Sequence, residues 1–309
     1  MLKVCSILLW LLPVLFFAEE VQVEKYRWPL NINNGCSSSF QEFRNNHFHA
    51  GIDLRTYQKT GYPVYALADS KVVKIRVVKR GSGRGLYLKH HDGHTSIFFH
   101  LDRFIPALEK IVKRVQGATG KKYFGNYDLK NPFPVKKDDL IAYSGETGYG
   151  FPHLHLEIRD PQYRAVNPFK LIRLPANDSN FPVLRSLLLR NKSESLINGR
   201  VGESWFKFNR ASDSLYYLKE PLVVTGKFDL LLNARDISDT GKYVAPYEIS
   251  LYINDCNTFC LRFDRFAWED NNQLGFVYDM FYSSSGNFFY NLFFQNGFEM
   301  EMNKLDLDS

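Results

Sequence analysis

Long apolar runs, cysteine and charge of a single sign are all scarce in this chain, and each scarcity excludes something. The one extended apolar stretch, Val4 to Phe17, runs for about 14 residues, short of the roughly 20 that a bilayer-spanning helix needs. Only four cysteines occur in 309 residues and none lies among the clustered histidines, so thiolate ligands are missing where metal chemistry would be looked for. Lys and Arg number 39 against 33 Asp and Glu, and the net charge of +6 is scattered. Such a charge suits an anionic polymer and equally a solvated surface, and no nucleic-acid-binding motif accompanies it. Gly81-Ser82-Gly83-Arg84-Gly85 lacks an adjoining helical pattern and is read as a flexible turn, which excludes a phosphate loop.

What is present is histidine in two informative places. Asn46 to Thr56 puts an imidazole at His49 and a carboxylate at Asp53, and the distant stretch Pro152 to Glu157 adds His153 and His155. Residues two apart on a strand point the same way, so His153, His155, Glu157 and Arg159 share one face and Leu154, Leu156 and Ile158 the other. A polar stripe backed by an apolar face suits the floor of a groove. Catalytic zinc takes three ligands from His and Asp/Glu and keeps a position open for water, which it makes acidic enough to attack a carbonyl. His49, Asp53 and one histidine of the later pair supply such a set, and the remaining histidine is free for proton transfer.

The surroundings carry a resemblance. Asn46-His47-Phe48-His49-Ala50-Gly51-Ile52-Asp53-Leu54, Gly61-Tyr62-Pro63-Val64-Tyr65-Ala66, Phe99-His100-Leu101, Ser144-Gly145-Glu146-Thr147-Gly148 and His153-Leu154-His155-Leu156-Glu157 follow in the order seen in lysostaphin/LytM-type zinc peptidases. These form the twenty-third metallopeptidase family, whose members cut peptide cross-links in bacterial cell walls. The resemblance covers roughly residues 37 to 169; Gln41 stands where that family commonly has Gly. It implies one zinc ion per chain on His49, Asp53 and His155, with His100 and His153 as catalytic histidines that orient or deprotonate water and stabilise the oxyanion. Glu157 is a weaker candidate for supporting the ligands, and His47 a neighbour rather than a ligand. The implied function is an exported zinc metalloendopeptidase acting on amide bonds in peptidoglycan stem peptides or cross-bridges. The alternative is a catalytically silent module of the same type that binds wall or activates an amidase. Nucleic acid is not an expected partner.

The fold expected is mainly β. Residues 1 to 18, with Lys3 ahead of the apolar run, read as a signal peptide, which places the protein in the periplasm or cell envelope, or outside the cell. No stable membrane span is expected after cleavage. Three cysteines then remain, and whether Cys256 and Cys260 pair is left open by their spacing. Residues 19 to 36 form a strap, and 37 to 175 an antiparallel sheet with a groove, of the duplicated hybrid motif type. An insertion spans about 103 to 137, with helical spacing from Ile105 to Gln116. Asp92-Gly93 predicts a two-residue hairpin turn, which sets Leu86, Leu88, Ile97 and Phe99 on one face and Tyr87, Ser96, Phe98 and His100 on the other. His90, His91 and His94 are then exposed at its tip. Beyond a linker at 176 to 180, short aromatic-rich runs, Gly275 to Tyr282 among them, predict a C-terminal β-sandwich-like domain ending in a polar tail, residues 301 to 309.

Overall fold

The computed structural model describes residues 7–12, 25–33, 35–173, 175, 179–295 and 297–300. Most of the expected leader with its cleavage site at Ala18, most of the linker and the polar tail lie outside the described residues. Two compact units result: residues 18–40 with 50–177, and residues 1–17, 41–49 and 178–309. The mainly β, antiparallel reading holds in both. Among the described residues no helix is long and apolar enough to cross a membrane.

The first unit contains β1 (Cys36–Ser38), β2 (Ile52–Arg55), β3 (Pro63–Tyr65), β4 (Ser70–Val77), β5 (Arg84–His90) and β6 (Thr95–Phe99). After them come helix α1 (Pro106–Thr119), β7 (Gly125–Val135), β8 (Leu140–Tyr143), β9 (His153–Arg159) and β10 (Ala165–Val166). The main sheet runs β7-β4-β5-β6-β9, and β9 carries both β2 and β10 on its other side, all antiparallel. Opposite residues in such a pair share a face. Ile52, Leu86, Phe98 and Leu156 therefore form one apolar row, joined by Leu54, Val72, Ile75, Leu88, Leu154 and Ile158, all fully buried. Burying each of these side chains is worth about 1.5–3 kcal/mol. That row is the floor under the polar face.

The hairpin β5-β6 departs from expectation. His90 donates its N–H to the His94 carbonyl, and Gly93, with φ of 88°, donates back to His90, so the loop holds three residues, His91 to Gly93. The pairing is Leu86 with Phe98 and Tyr87 with Ile97, one residue away from the alignment a two-residue turn gives. A slip of one exchanges the faces. Phe98 is therefore in the core with Leu86 and Leu88, and Phe99 joins Ile97 and Tyr87 on the other side. His90 is not exposed: it is buried, bonds Ser96 Oγ at 3.0 Å and stacks on Tyr26 at 4.7 Å. The segment around Tyr26 covers the tip, with Tyr26 Oη donating to Asp92 at 2.5 Å and Lys25 Nζ pairing with Asp92 at 2.8 Å. Burial pushes His90 down to about 4.

The helix read over 105 to 116 forms at Pro106–Thr119, with proline in its first turn, Leu108, Val112 and Val115 buried, and Gly120 ending it at φ 66°. β7 then adds to the edge of β4, with a register shift between Asp128 and Phe133.

In the second unit, β11 (Val183–Ile197) pairs with β12 (Glu203–Lys207) and β13 (Val224–Ile237), and β16 (Phe289–Asn291) pairs with β13; β14 (Glu248–Ile253) pairs with β15 (Cys256–Arg262) and with strand Ile7–Leu12. Tyr278, Tyr290, Phe263 and Phe288 are fully buried and pack ring to ring. The strand expected over 275 to 282 is instead a short helical segment, Trp268–Gln273 then Leu274–Val277. Asp270 accepts from the Ala267 N–H at 2.8 Å, and that cap starts the helical turn. Cys36, Cys256 and Cys260 are not joined by disulfides.

Gly51 shows how tightly β2 and β9 are pressed together, since a Cβ there would lie 2.2 Å from the Leu156 carbonyl oxygen. Gly51→Ala is expected to cost about 1–3 kcal/mol of stability, read as a lowered urea midpoint at unchanged slope. An unchanged midpoint would mean that the strands separate freely at this point.

Candidate metal centre

The site is built on facing positions of β2 and β9. Asp53 lies opposite His155 in the register, and Asp53 Oδ1 is 2.9 Å from His155 Nδ1. His49, four residues earlier and buried, completes a group whose ligand atoms all lie within 4.8 Å of one another. Two imidazole nitrogens and a carboxylate oxygen suit zinc among the common biological metals.

The second ring nitrogen of His155 is also engaged. Nε2 is 3.2 Å from Glu157 Oε1, and Glu157 Oε2 accepts from Arg159 Nε at 2.8 Å and Nη2 at 2.5 Å. Phe99 stacks on the same imidazole, centroids 5.5 Å apart and planes 18° apart. His155 donates Nε2–H to Glu157 and, without metal, Nδ1–H to Asp53; the Glu157 bond fixes the ring angle and leaves Nδ1 as the nitrogen that a metal would take in place of its proton. Burial works against charge on Glu157, yet Arg159 and His155 bring it to about 2. Burial likewise opposes charge on His155, and the carboxylates of Asp53 and Glu157 outweigh it, raising the imidazole to about 9. The pocket demands a positive charge, which a bound cation supplies in place of the proton. The residues therefore fit a divalent metal.

His100 and His153 stand beside this group. His100 follows the last residue of β6 with φ of 61°, a left-handed turn that swings its ring out of the strand's alternation. Its centroid is 4.5 Å from that of His153 and 6.0 Å from that of His155. His100 Nδ1 donates to the Thr147 carbonyl at 2.9 Å, and His153 Nδ1 to the Phe151 carbonyl at 2.6 Å. His153 Nε2 comes 3.6 Å from Asp53 Oδ1. Burial first, then the adjoining His153 and His155, pushes His100 down to about 4, so it is neutral at pH 7.

Thr147, whose carbonyl orients His100, is the neighbour of the site that the sequence does not single out. Its hydroxyl donates to the Leu101 carbonyl and accepts from the Arg84 N–H, both at 2.8 Å. A Cβ on Gly83 would fall 2.1 Å from the Thr147 oxygen, and one on Gly148 2.2 Å from the Gly81 oxygen. The two glycine-bearing turns are thus packed together, and only glycine permits it. That spacing of glycines is the available signal. His47 bonds Asn46 and lies outside the metal group, as do His90, His91 and His94.

Residues 47–122 match the model of Peptidase family M23, a stretch that includes His49, Asp53 and His100. Over these residues the chain is similar to that family. A protein of Haemophilus influenzae named as an uncharacterized metalloprotease is 32% identical over 160 residues, half of this chain and 28% of that protein. Glycyl-glycine endopeptidase ALE-1 of Staphylococcus capitis is 29% identical over 132 residues, 42% of this chain and 26% of that protein. A zinc containing peptidase from Vibrio cholerae is 25% identical with a TM-score of 0.35, over 47% of this chain and 38% of that one. The chain spans about a quarter of the length of the curated relatives it matches.

Two outcomes follow from the geometry. Glu157→Gln is expected to weaken zinc binding about 10- to 100-fold in a chelator competition, because His155 loses its charged acceptor; unchanged affinity would mean that Glu157 serves only the fold. In the metal-free chain, His90 and His100 are depressed to about 4 from 6.5, so their share of stability is lost as pH falls from 6.5 to 4. His155 is raised from 6.5 to about 9, so its share is lost as pH rises through that window. Denaturant unfolding in chelator is therefore expected to peak near pH 6.5, and zinc to flatten the alkaline limb. A monotonic rise to pH 9 in chelator would contradict the paired His155.

Proposed function

We propose that this chain is an exported zinc metalloendopeptidase that hydrolyses amide bonds in peptidoglycan stem peptides or cross-bridges. The observation that carries the reading is the convergence of His49, Asp53 and His155 beside two further imidazoles, His100 and His153. His49, Asp53 and His155 would hold the zinc ion, with Glu157 and Arg159 fixing His155 from behind. Bound there, zinc supplies Lewis-acid polarisation of the scissile carbonyl and acidifies water.

The remaining work falls to the chain's own groups. His100 is neutral, and its Nδ1 proton is committed to Thr147, so Nε2 is the atom that accepts a proton from the attacking water. The imidazolium so formed returns that proton to the leaving amine. His153, oriented by the Phe151 carbonyl, presents Nε2 on the same side and positions water or stabilises the developing oxyanion. The wall-peptide substrate is supported by the M23 match together with the endopeptidase of Staphylococcus capitis. Export is supported by the charged and apolar pattern of residues 1 to 18.

The test is zinc content together with mass-spectrometric release of fragments from purified peptidoglycan. The wild type is expected to carry one zinc ion and to release fragments whose new ends mark a single amide bond. His155→Ala is expected to lose both metal and cleavage. His100→Ala is expected to keep the metal and lose about 10²- to 10⁴-fold in rate. A metal-free wild type that still stimulates an amidase would replace the enzyme by the silent activating module.

A further inference from the structure

A cavity of about 420 Å³ opens beside the start of α1, lined by Arg103, Phe104, Pro106, Glu109, Lys110, Lys113 and Tyr143. Phe104, Pro106 and Tyr143 give it apolar walls, and the charge on it is one-sided. Glu109, its single carboxylate, is already engaged by the Phe104 N–H at 2.8 Å and by the Arg84 guanidinium. Arg103 sits over the Tyr143 ring with its Cζ 3.9 Å from the centroid and pairs with Asp102 at 2.6 Å, two contacts that hold its guanidinium in place. That ion pair is about half exposed and contributes little, so an incoming anion competes for Arg103 without a large penalty. Lys110 and Lys113, three apart on one helix face and exposed, add two further cations.

The cavity is tied at both ends to the catalytic histidines. Arg103 follows His100 by three residues, a span of at most about 11 Å. Tyr143 precedes Gly145 by two, and the Gly145 carbonyl accepts the His153 N–H at 3.2 Å. An extended peptide covers a span of that size in about three residues.

We propose that this cavity is a substrate subsite that recognises a free carboxylate of the peptide, with an apolar flank of the same residue packed on Phe104 and Tyr143. The proposal rests on the peptidase reading above and deepens it: the substrate class is a peptide carrying an uncapped carboxylate about three residues from the scissile bond. Charge complementarity decides the occupant, since the one wall carboxylate is engaged while Arg103, Lys110 and Lys113 face an anion together.

The experiment uses the zinc-loaded full chain with His100→Ala, so that binding is read without cleavage. Two synthetic wall-type peptides that differ only in a terminal carboxylate or carboxamide are titrated by calorimetry. The carboxylate peptide is expected to bind about tenfold more tightly, the scale of one partly exposed charge-assisted contact. The preference is expected to fall to near onefold with Arg103→Gln, Lys110→Gln and Lys113→Gln together and to persist with Lys130→Gln, an exposed lysine outside the cavity. Equal binding of the two peptides by the zinc-loaded chain, or a preference that survives the triple substitution, overturns the subsite. Inorganic phosphate binding the cavity while the peptide carboxylate adds nothing overturns it in favour of a general anion site. Failure of the peptidase reading is visible separately, as intact carboxylate preference with no cleavage by the His100-bearing chain.

Discussion

The pairing of Asp53 with His155 across β2 and β9 is the constraint on which the rest of the site depends. Their side chains meet because the register sets the two residues opposite one another, and the register holds because Ile52, Leu54, Leu154 and Leu156 fill the other face of the same two strands. A slip of one residue would drive the carboxylate and imidazole into the core and lift four leucine and isoleucine side chains into the groove. The apolar row and the Asp53–His155 pair are therefore one specification written on alternate residues. Gly51 completes it by letting the backbones approach where any side chain would collide with Leu156.

Along the polar face of β9 and its neighbour the charges alternate in sign: Asp53, His155, Glu157, Arg159. Each buried group is desolvated, and each is compensated by the next. Arginine at the end of the row matters, because its forked guanidinium reaches one carboxylate oxygen through two nitrogens and does not surrender its charge on burial. Such rows are rarely the most stable solution, since well-packed apolar residues of the same volume often do as well or better. Their value lies in holding a ring nitrogen at a fixed angle.

Much of this is legible in the order of residues alone, for a definite reason. Strand periodicity is two, so His153, His155, Glu157 and Arg159 have to share a face, and the ordered motifs bring His49, Asp53 and His100 to it. The five residues named from the sequence do lie together. What is not legible depends on backbone atoms. The acceptors that orient His100 and His153 are the carbonyls of Thr147 and Phe151, and a carbonyl leaves no mark in a sequence. The hairpin differs from its expected form because Asp-Gly serves both a two-residue turn and the end of a three-residue loop, and only the position of the positive φ separates them. The burial of His90 follows from that difference, with the covering ring of Tyr26 lying 64 residues away in sequence. The short helix at 274–277 is hidden among aromatic residues that suit a strand equally well.

The left-handed backbone at His100 links these differences to the chemistry. Had β6 continued its alternation, residue 100 would have pointed with Phe98 into the core. The positive φ after Phe99 breaks the alternation at the one place where a ring is needed beside β9. A non-glycine residue in that conformation is strained and persists only where its surroundings hold it. Here they do: His100 donates its N–H to Ser82, its ring to Thr147, and its carbonyl is so close to Gly145 that a Cβ there would come within 2.7 Å. Glycine at 83, 145 and 148 is thus what lets two loops close around one strained histidine. The turn that looks merely flexible in the sequence is the mould in which His100 is set.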